Sequence, residues 1–188
     1  GSDKHYREEA PVHRVAVDGF WIGQTPVTNS HFKKFVEATG HVTFAEIPPR
    51  SEDYPGALAH MLKPGSLVFR PASVNARDWS EWWEFCFGAN LRHPYGRGTW
   101  IKGLDDHPVV HVAYSDAEAY AKWTGKELPT EAEWEFAARG GLEGAEFAWG
   151  DEFTPGGKQM ANTWQGNFPN ENLKLDGYER TSPVKAFP

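Results

Sequence analysis

The sequence predicts an α+β fold in which regular elements are few and short. Its 188 residues include 19 Gly and 14 Pro, residue types that favour turns and irregular backbone. They also include nine Trp, whose large side chains can hold such a backbone together by aromatic packing. Because charged residues make up only 24% and aromatic residues reach 14%, the composition is that of a folded chain.

Composition and charge exclude several classes of function. With 19 Lys and Arg against 26 Asp and Glu, the net charge of −7 argues against nucleic-acid binding, which needs a basic face. No apolar run approaches the ~18 residues of a membrane span, so no membrane partner is expected. The single cysteine, Cys86, rules out a disulfide scaffold and any multi-thiolate metal site made by this chain alone. Since no repeat or linker interrupts the sequence, we expect one domain over residues 1–188.

The first half of the chain predicts one strand and one helix. Residues 12–17 (VHRVAV) alternate apolar and polar side chains, the pattern of a half-buried strand. A helix follows that is capped by Thr28 or Asn29 and ended by Gly40, with two phenylalanines spaced to share one face. Residues 41–108 are rich in Pro, Gly and aromatic residues, and we expect a long, mostly irregular excursion there.

The second half begins with a predicted strand and a capped helix. Residues 109–114 (VVHVAY) form the short apolar run that is typical of a buried strand. Ser115 and Glu118 have the S-x-x-E spacing of a capping box, which predicts a helix that starts at Ser115 and ends near Gly125.

A third helix is predicted directly after a Pro-Thr pair. Thr130 and Glu133 match a second capping box, Trp134 and a following alanine are expected to pack inward, and Gly140 ends the helix. Acidic residues in this first turn are better explained by capping than by general acid-base catalysis. After Gly141 the Gly, Asn and Pro content predicts loops with short strands.

Three residues with reactive side chains are assigned structural roles. His107 and His111 are four residues apart on a predicted strand, about 13 Å, which is too far for one metal ion. We therefore interpret both histidines as structural. Cys86 lies between two phenylalanines, where a thiol is usually buried; the alternative, a nucleophile activated by His93, is weaker.

The loop over residues 162–178 (NTWQGNFPNENLKLDGY) carries amide and carboxylate oxygens on a backbone bent by Gly and Pro. A hard cation such as Ca²⁺ takes several oxygen ligands, many of them backbone carbonyls. Asn162 and Asp176 can supply side-chain oxygens, and Thr163 and Tyr178 can supply carbonyls. Asx-turns explain many loops of this composition without any cation.

Several segments together resemble the formylglycine-generating enzymes, also called sulfatase-modifying factors. The resemblance runs colinearly along the whole chain. It includes the segments TPVTNSHFKKFVEATG, GANLRHP, HPVVHVAYSDAEAYAKWTGKELPTEAEWEFAARGG, FAWGDEF, MANTWQGNFP and DGY. LPTEAEWEFAARGG is typical of the wider superfamily, whereas ANTWQGNFP followed by DGY is more specific to the formylglycine generators.

The resemblance implies a fold, a reaction and a set of partners. The fold is C-type-lectin-like with low regular secondary structure content, and it is incomplete at the C-terminus of this chain. Family members use O₂ and Cu(I), held by two thiolates, to oxidise a cysteine in a C-x-P-x-R motif of an unfolded sulfatase to Cα-formylglycine. The partners implied are therefore an unfolded sulfatase or a cysteine-containing peptide, together with a missing C-terminal segment.

The resemblance also implies particular site residues. One family calcium site falls on four residues of the 162–178 loop: Asn162, the Thr163 carbonyl, Asp176 and the Tyr178 carbonyl. Arg92 and His93 fall on the family's substrate groove. No catalytic residue is expected within the chain.

Departures from the family pattern limit what this chain does alone. The family's copper-binding cysteines lie beyond the equivalent of Pro188, and Cys86 does not match either of them, so we expect the isolated chain to be inactive. Ala121 stands where vertebrate-type members have a disulfide cysteine, which favours a bacterial, cytoplasmic member.

Two other functions are compatible with the same scaffold. A non-catalytic binding module is the main alternative, because a fold does not determine a function. A nonhaem-iron sulfoxide synthase ranks last, because the chain has no compelling His triad.

Overall fold

A computed structural model of the protein describes residues 3, 6–71 and 78–188. The chain divides into a smaller unit, Gly1–Gly23 with Pro129–Phe153, and a larger unit, Gln24–Leu128 with Thr154–Pro188. Within the described residues, the regular elements are α1 (Asn29–Thr39), β1 (Gly65–Phe69), β2 (Trp83–Phe87), α2 (Tyr114–Trp123) and α3 (Glu131–Arg139). Short 3₁₀ turns lie at Arg7–Glu9, Phe44–Glu46, Ser51–Asp53, Trp79–Trp82 and Pro155–Gly157. The predicted mixed α+β class with short elements is confirmed, whereas the lectin-like topology stays a prediction.

Helix α1 begins and ends where the sequence predicts. The Thr28 side chain accepts a hydrogen bond from the His31 backbone N–H at 3.3 Å, and Gly40 ends the helix in the left-handed conformation at φ 70°. Phe32 and Phe35 are buried at 1% and 3% exposure and pack with Leu91 as one of the core clusters of the larger unit.

Helix α2 forms, but its predicted capping box is wrong. The helix begins at Tyr114, so its cap is Ala113 and the third helical residue is Asp116 rather than Glu118. The Asp116 carboxylate accepts the Ala113 backbone N–H at 2.8 Å and is only 2% exposed. Glu118 instead pairs with Lys122 at 3.2 Å on the surface. Tyr120 of α2 stacks on Phe32 of α1, with ring centroids 5.6 Å apart, so this contact packs the two helices against each other.

A β-hairpin lies inside the segment expected to be irregular. Strands β1 and β2 pair antiparallel, with Leu67 opposite Phe85 and Ser66 opposite Cys86. Cys86 and Val68 point to one side and are buried, whereas Leu67 and Phe85 are about half exposed on the other. The connection between the strands is long and lacks the two-residue turn that marks a hairpin in sequence, so the pairing was not predicted.

The predicted strands at 12–17 and 109–114 do not form. Residues 12–17 have no strand partner among the described residues. In 109–114 the chain turns at His111, which has φ 59° and cannot continue an extended strand. The expected short strands after Gly141 are also wrong, since the described residues there form turns and one isolated bridge, Phe147 with Gly150.

Helix α3 carries the predicted capping box in the smaller unit. The Glu133 carboxylate accepts the Thr130 backbone N–H at 2.8 Å, and the Glu133 N–H donates to the Thr130 hydroxyl at 3.3 Å. Gly140 ends the helix at φ 55°. The inward packing of Trp134 is wrong, because its side chain is 62% exposed. No helix among the described residues is both long enough and apolar enough to cross a membrane.

Acidic pH should weaken helix α3 through Glu133. Hydrogen bonds from the Thr130 backbone N–H and hydroxyl hold the pKa of the Glu133 carboxyl below its ordinary value of 4.5. The stabilisation is therefore complete above the unfolded-state pKa and is lost as pH falls through the lower folded-state pKa. We expect Glu133→Gln to be less stable than wild type at neutral pH and the two curves to converge in acid, as measured by urea unfolding across a pH series. Parallel curves would contradict this assignment.

Candidate functional site

The 162–178 loop folds back on itself around Gly166. This glycine has φ 109°, and a Cβ there would lie 2.7 Å from the Glu171 carbonyl oxygen, so only glycine fits. Beyond it, the Leu173 backbone N–H donates to the Gln165 carbonyl at 2.7 Å. The turn therefore places the segment 163–165 beside the segment 172–176.

Asp176 joins the two sides of the loop. Its Oδ2 accepts the Thr163 backbone N–H at 3.1 Å and the Gln165 side-chain amide at 3.0 Å. Its Oδ1 accepts the Tyr178 backbone N–H at 2.9 Å. The structure thus brings together three of the four residues predicted to form the calcium site, but Thr163 and Tyr178 contact Asp176 through their N–H groups and not through the predicted carbonyl ligands. The fourth, Asn162, is exposed and donates its side-chain amide to the Arg180 carbonyl at 2.7 Å.

The oxygens of this loop are of the types that a hard cation binds, and the calcium site stays a prediction. The Thr163 carbonyl oxygen and Asp176 Oδ2 both accept from the Gln165 side-chain nitrogen, so this amide occupies the point on which the two oxygens converge. Ca²⁺ binds carboxylate, amide and backbone carbonyl oxygens at about 2.3–2.6 Å. Among the described residues there is no cluster of three or more His, Cys, Asp or Glu side chains. A cation at this loop would therefore depend on carbonyl oxygens as much as on Asp176.

Arg92 and His93 lie in a tight turn of the larger unit. Asn90 Oδ1 accepts the backbone N–H groups of Arg92 at 2.9 Å and His93 at 3.1 Å. The Arg92 guanidinium pairs with Glu46. His93 Nδ1 lies 2.6 Å from the Thr99 carbonyl oxygen, which can only accept, so this nitrogen carries the proton.

A groove of about 430 Å³ runs beside this turn. Its walls come from α1 and from the segments that follow β2: Lys33, Val36, Glu37, Leu91, Arg92, Trp100, Ile101 and Lys102. Arg92 lines this groove, and its assignment to the family's substrate groove stays a prediction. His93 instead packs its ring edge-on against Trp100, with centroids 4.3 Å apart. Sequence analysis did not identify Trp100, which is 67% exposed and lines the groove.

A second cavity of about 500 Å³ lies next to the 162–178 loop. Phe69, Trp164 and Phe168 form its aromatic wall, and Lys174 and Arg180 are among its polar residues. Trp164 Nε1 is buried and has no hydrogen-bond acceptor among the described residues. Sequence analysis missed this cavity because β1 and the loop are far apart along the chain.

The three residues that were assigned structural roles are held by the protein itself. His107 Nδ1 lies 2.9 Å from the Thr181 hydroxyl, and His111 Nε2 lies 2.8 Å from the Pro94 carbonyl. Cys86 is 9% exposed, and its Sγ accepts from the Arg70 guanidinium at 3.6 Å. These contacts support the structural interpretation of both histidines and of the thiol.

Comparison with known proteins identifies a family whose sequence model matches this chain. Residues 1–188 match the family described as the sulfatase-modifying factor enzyme 1-like domain. The chain is 54% identical over 190 residues to the formylglycine-generating enzyme of Mycobacterium tuberculosis, covering 100% of this chain and 63% of that protein. It is 44% identical over 180 residues to the Mus musculus formylglycine-generating enzyme, covering 96% of this chain and 46% of that protein.

A further relative carries a different name. The chain is 41% identical over 180 residues to the Bos taurus protein named inactive C-alpha-formylglycine-generating enzyme 2, covering 96% of this chain and 55% of that protein. This chain thus spans between about half and just under two thirds of the length of these three relatives.

Proposed function

Because this chain belongs to the sulfatase-modifying factor enzyme 1-like family, we propose that it forms part of a formylglycine-generating enzyme that acts on sulfatases. The observation that carries the proposal is the 54% identity with the Mycobacterium tuberculosis enzyme along the whole chain. The substrate is a cysteine in a C-x-P-x-R segment of an unfolded sulfatase or a peptide. A cytoplasmic, bacterial setting and a lectin-like topology belong to the same proposal.

The reaction converts the CH₂–SH group of the substrate cysteine to the CHO group of Cα-formylglycine. The C–S bond breaks, a C=O bond forms, and sulfur leaves as H₂S. With O₂ as oxidant, the balance requires two electrons and two protons from a reductant such as a thiol, and the second oxygen atom leaves as water.

Copper is the metal that the family implies for this reaction, and the residues of this chain do not fit its site. A two-thiolate Cu(I) site needs two cysteines. The chain contains one, Cys86, which is buried and paired with Arg70. We therefore place the two thiolates outside these 188 residues and assign no copper chemistry to the chain itself.

The proposed role of this chain is to supply structure and binding surface. In the 162–178 loop, Asp176, the Thr163 carbonyl, the Tyr178 carbonyl and Asn162 would hold Ca²⁺, which braces the loop. The groove beside Arg92 would bind the peptide. Its exposed Trp100 offers a flat apolar contact, and the Arg92 guanidinium, 45% exposed, offers hydrogen-bond donors to peptide carbonyls.

A non-catalytic binding module is the second candidate function. It is favoured by one observation, the 41% identity with a relative that is named as inactive. Such a module would keep the loop and the groove and bind a peptide without oxidising it.

The test is conversion of a C-x-P-x-R peptide, followed by mass spectrometry. We expect the 188-residue chain to leave the peptide cysteine intact and the protein that carries these residues with its flanking sequence to convert it to the aldehyde. Cys86→Ser in that longer protein should keep conversion, since Cys86 is not one of the thiolates. A longer protein that is folded and copper-loaded but binds without converting the peptide would favour the binding module. Conversion by the 188-residue chain alone would contradict the copper assignment.

A further inference from the structure

Five apolar side chains share one face of the hairpin that β1 and β2 form, and we call it the aromatic face: Leu67, Phe69, Trp83, Phe85 and Phe87. Strand residues two apart point to the same side, and the register sets Leu67 opposite Phe85 and Phe69 opposite Trp83. The rings contact each other, with centroids 5.7 Å apart for Phe69 and Trp83 and 5.6 Å apart for Phe85 and Phe87. All of these side chains except Phe69 are between 42% and 50% exposed.

The exposed part of the aromatic face is large for the surface of a folded protein. An aromatic side chain covers about 150–250 Å² when buried, so four half-exposed side chains leave about 300–500 Å² of apolar surface in water. A patch of that size commonly marks an interaction site, particularly where polar groups rim it. Lys63 supplies such a group, since its Nζ lies 5.7 Å from the centroid of the Phe87 ring.

The hairpin is supported from one side only. A two-stranded hairpin is marginally stable in water unless other parts of the protein pack on it. The opposite face has that support, because Val68 and Cys86 pack with Ala89 in a buried cluster against Tyr95. Among the described residues, no third strand pairs with β1 or β2. The aromatic face and the outer strand edges are therefore open to further polypeptide.

The last part of the described chain runs beside one end of the aromatic face. The Arg180 guanidinium donates to the Phe69 carbonyl at 3.0 Å. The rings of Trp164 and Phe168 lie against the Phe69 ring, with centroids 5.5 Å and 5.9 Å away. Pro188 is eight residues beyond Arg180, a stretch that spans at most about 26 Å when extended. Sequence that follows Pro188 would therefore start within reach of the hairpin.

We propose that the aromatic face is a docking surface for the part of the same protein that follows Pro188, and that apolar side chains of that segment pack on it. This inference rests on the proposed function, in which the chain is part of a longer enzyme. The lengths of the relatives leave room for such a segment. The 190 aligned residues are 63% of the Mycobacterium tuberculosis protein, so about 110 of its residues lie outside the match.

A second copy of the chain suits this surface less well. A stable interface between two proteins buries about 800 Å² on each partner, which is more than the aromatic face offers. Two separate molecules also lose translational and rotational freedom when they associate. A segment joined covalently to the chain avoids most of that cost, so a smaller surface is sufficient to hold it.

The experiment measures how fast a thiol on the aromatic face reacts with iodoacetamide. Leu67→Cys is made both in the 188-residue chain and in the protein that carries these residues with its flanking sequence. Trypsin cleaves after Arg70, so the new thiol and Cys86 fall in different peptides and mass spectrometry follows each separately. Because a covered thiol reacts only when the structure opens, we expect labelling at position 67 to be at least about tenfold slower in the longer protein.

The matched control is Leu58→Cys. Leu58 is 60% exposed in the same unit and lies outside the hairpin, so its replacement should react at the same rate in both proteins. Equal rates at position 67 in the two proteins would overturn the inference. Protection of position 67 that appears in the 188-residue chain and rises with its concentration would identify a second copy as the occupant and would also overturn it.

The labelling assay does not depend on catalysis, so it separates this inference from the proposed function. A longer protein that protects position 67 without converting the C-x-P-x-R peptide would contradict the proposed function and support the docking surface. A longer protein that converts the peptide while position 67 stays fully reactive would support the proposed function and overturn the docking surface.

A second variant needs no measurement on the 188-residue chain. In the longer protein, Phe85→Asp places a charge where the segment packs, and we expect the melting temperature to fall by about 5 °C or more. Leu58→Asp makes the same kind of change at an exposed position and should shift it by less than about 2 °C. An equal shift in the two variants would overturn the inference.

Discussion

Replacing Asp116 with alanine is expected to unfold most of the larger unit at moderate temperature. The carboxylate is 2% exposed and accepts from the Ala113 N–H at 2.8 Å, from the Phe44 N–H at 3.2 Å and from His41 Nε2 at 2.8 Å. Alanine leaves these three donors without this acceptor; the carboxylate itself is buried, whereas the His41 side chain is 22% exposed. An unsatisfied buried group costs about 1–3 kcal/mol, but the partly exposed His41 can bind water instead, so we expect the free energy of unfolding to fall by about 3–5 kcal/mol.

A loss of that size matters because of where Asp116 lies. It caps helix α2 and also binds the segment that follows α1, so one carboxylate holds both helices of the core. Domains of this size are stable by only about 5–15 kcal/mol, so the variant should melt far below wild type or fail to fold.

Denaturant unfolding of three variants would measure the effect. Asp116→Asn keeps one oxygen acceptor and should lose less than Asp116→Ala. Glu118→Ala is the matched control on the same helix, because its exposed pair with Lys122 is worth only about 0.3–0.5 kcal/mol. A melting temperature for Asp116→Ala within error of that of Glu118→Ala would show that the buried carboxylate contributes little.

The helices were predictable because short local sequence patterns determine where a helix begins and ends. Thr28 caps the start of α1 and Gly40 ends it, and Thr130 and Glu133 form the capping box of α3. These signals are local in sequence, and both predictions are confirmed. Helix α2 shows the limit of this reasoning. It begins one residue before Ser115, because Asp116 rather than Glu118 accepts the backbone N–H of the cap residue. Asp116 also accepts from His41 and Phe44, which are distant along the chain.

Strands were predicted poorly because strand pairing depends on distant parts of the chain. The alternating residues 12–17 found no partner among the described residues, and the apolar run 109–114 is bent at His111 by its hydrogen bond to the Pro94 carbonyl. Strands β1 and β2 do pair, across a long connection without a turn signature. A local sequence pattern carries no information about contacts between residues that are far apart along the chain.

The candidate site was predictable from residue types but not in its geometry. The oxygen-rich composition of 162–178 pointed to Asp176 and Thr163, and the structure joins the two residues through the Thr163 backbone N–H, which donates to Asp176 Oδ2. Gln165 was not singled out, because a glutamine in a polar loop carries no signal until its burial is known. Trp100 was missed for a similar reason, since only the fold places it in the same groove wall as Arg92.

Calcium is expected to raise the melting temperature of wild type and to have no effect on Asp176→Ala. A ligand that binds only the folded state adds about 2.7 kcal/mol at a free concentration of about 100 times its Kd. For a chain of this length that corresponds to a shift of about 5–10 °C. Asp176 supplies the only carboxylate of the proposed ligand set, so its removal should abolish the shift.

Two controls separate lost binding from lost folding. Asp176→Ala also loses the acceptor of the Thr163 and Tyr178 N–H groups, so it should melt lower than wild type even in chelator. Asp106→Ala removes one exposed carboxylate from the same unit and should keep the full calcium response. Because both variants change the net charge equally, a response lost only in Asp176→Ala assigns the cation to the 162–178 loop. A response that survives in Asp176→Ala would remove the cation site from this loop.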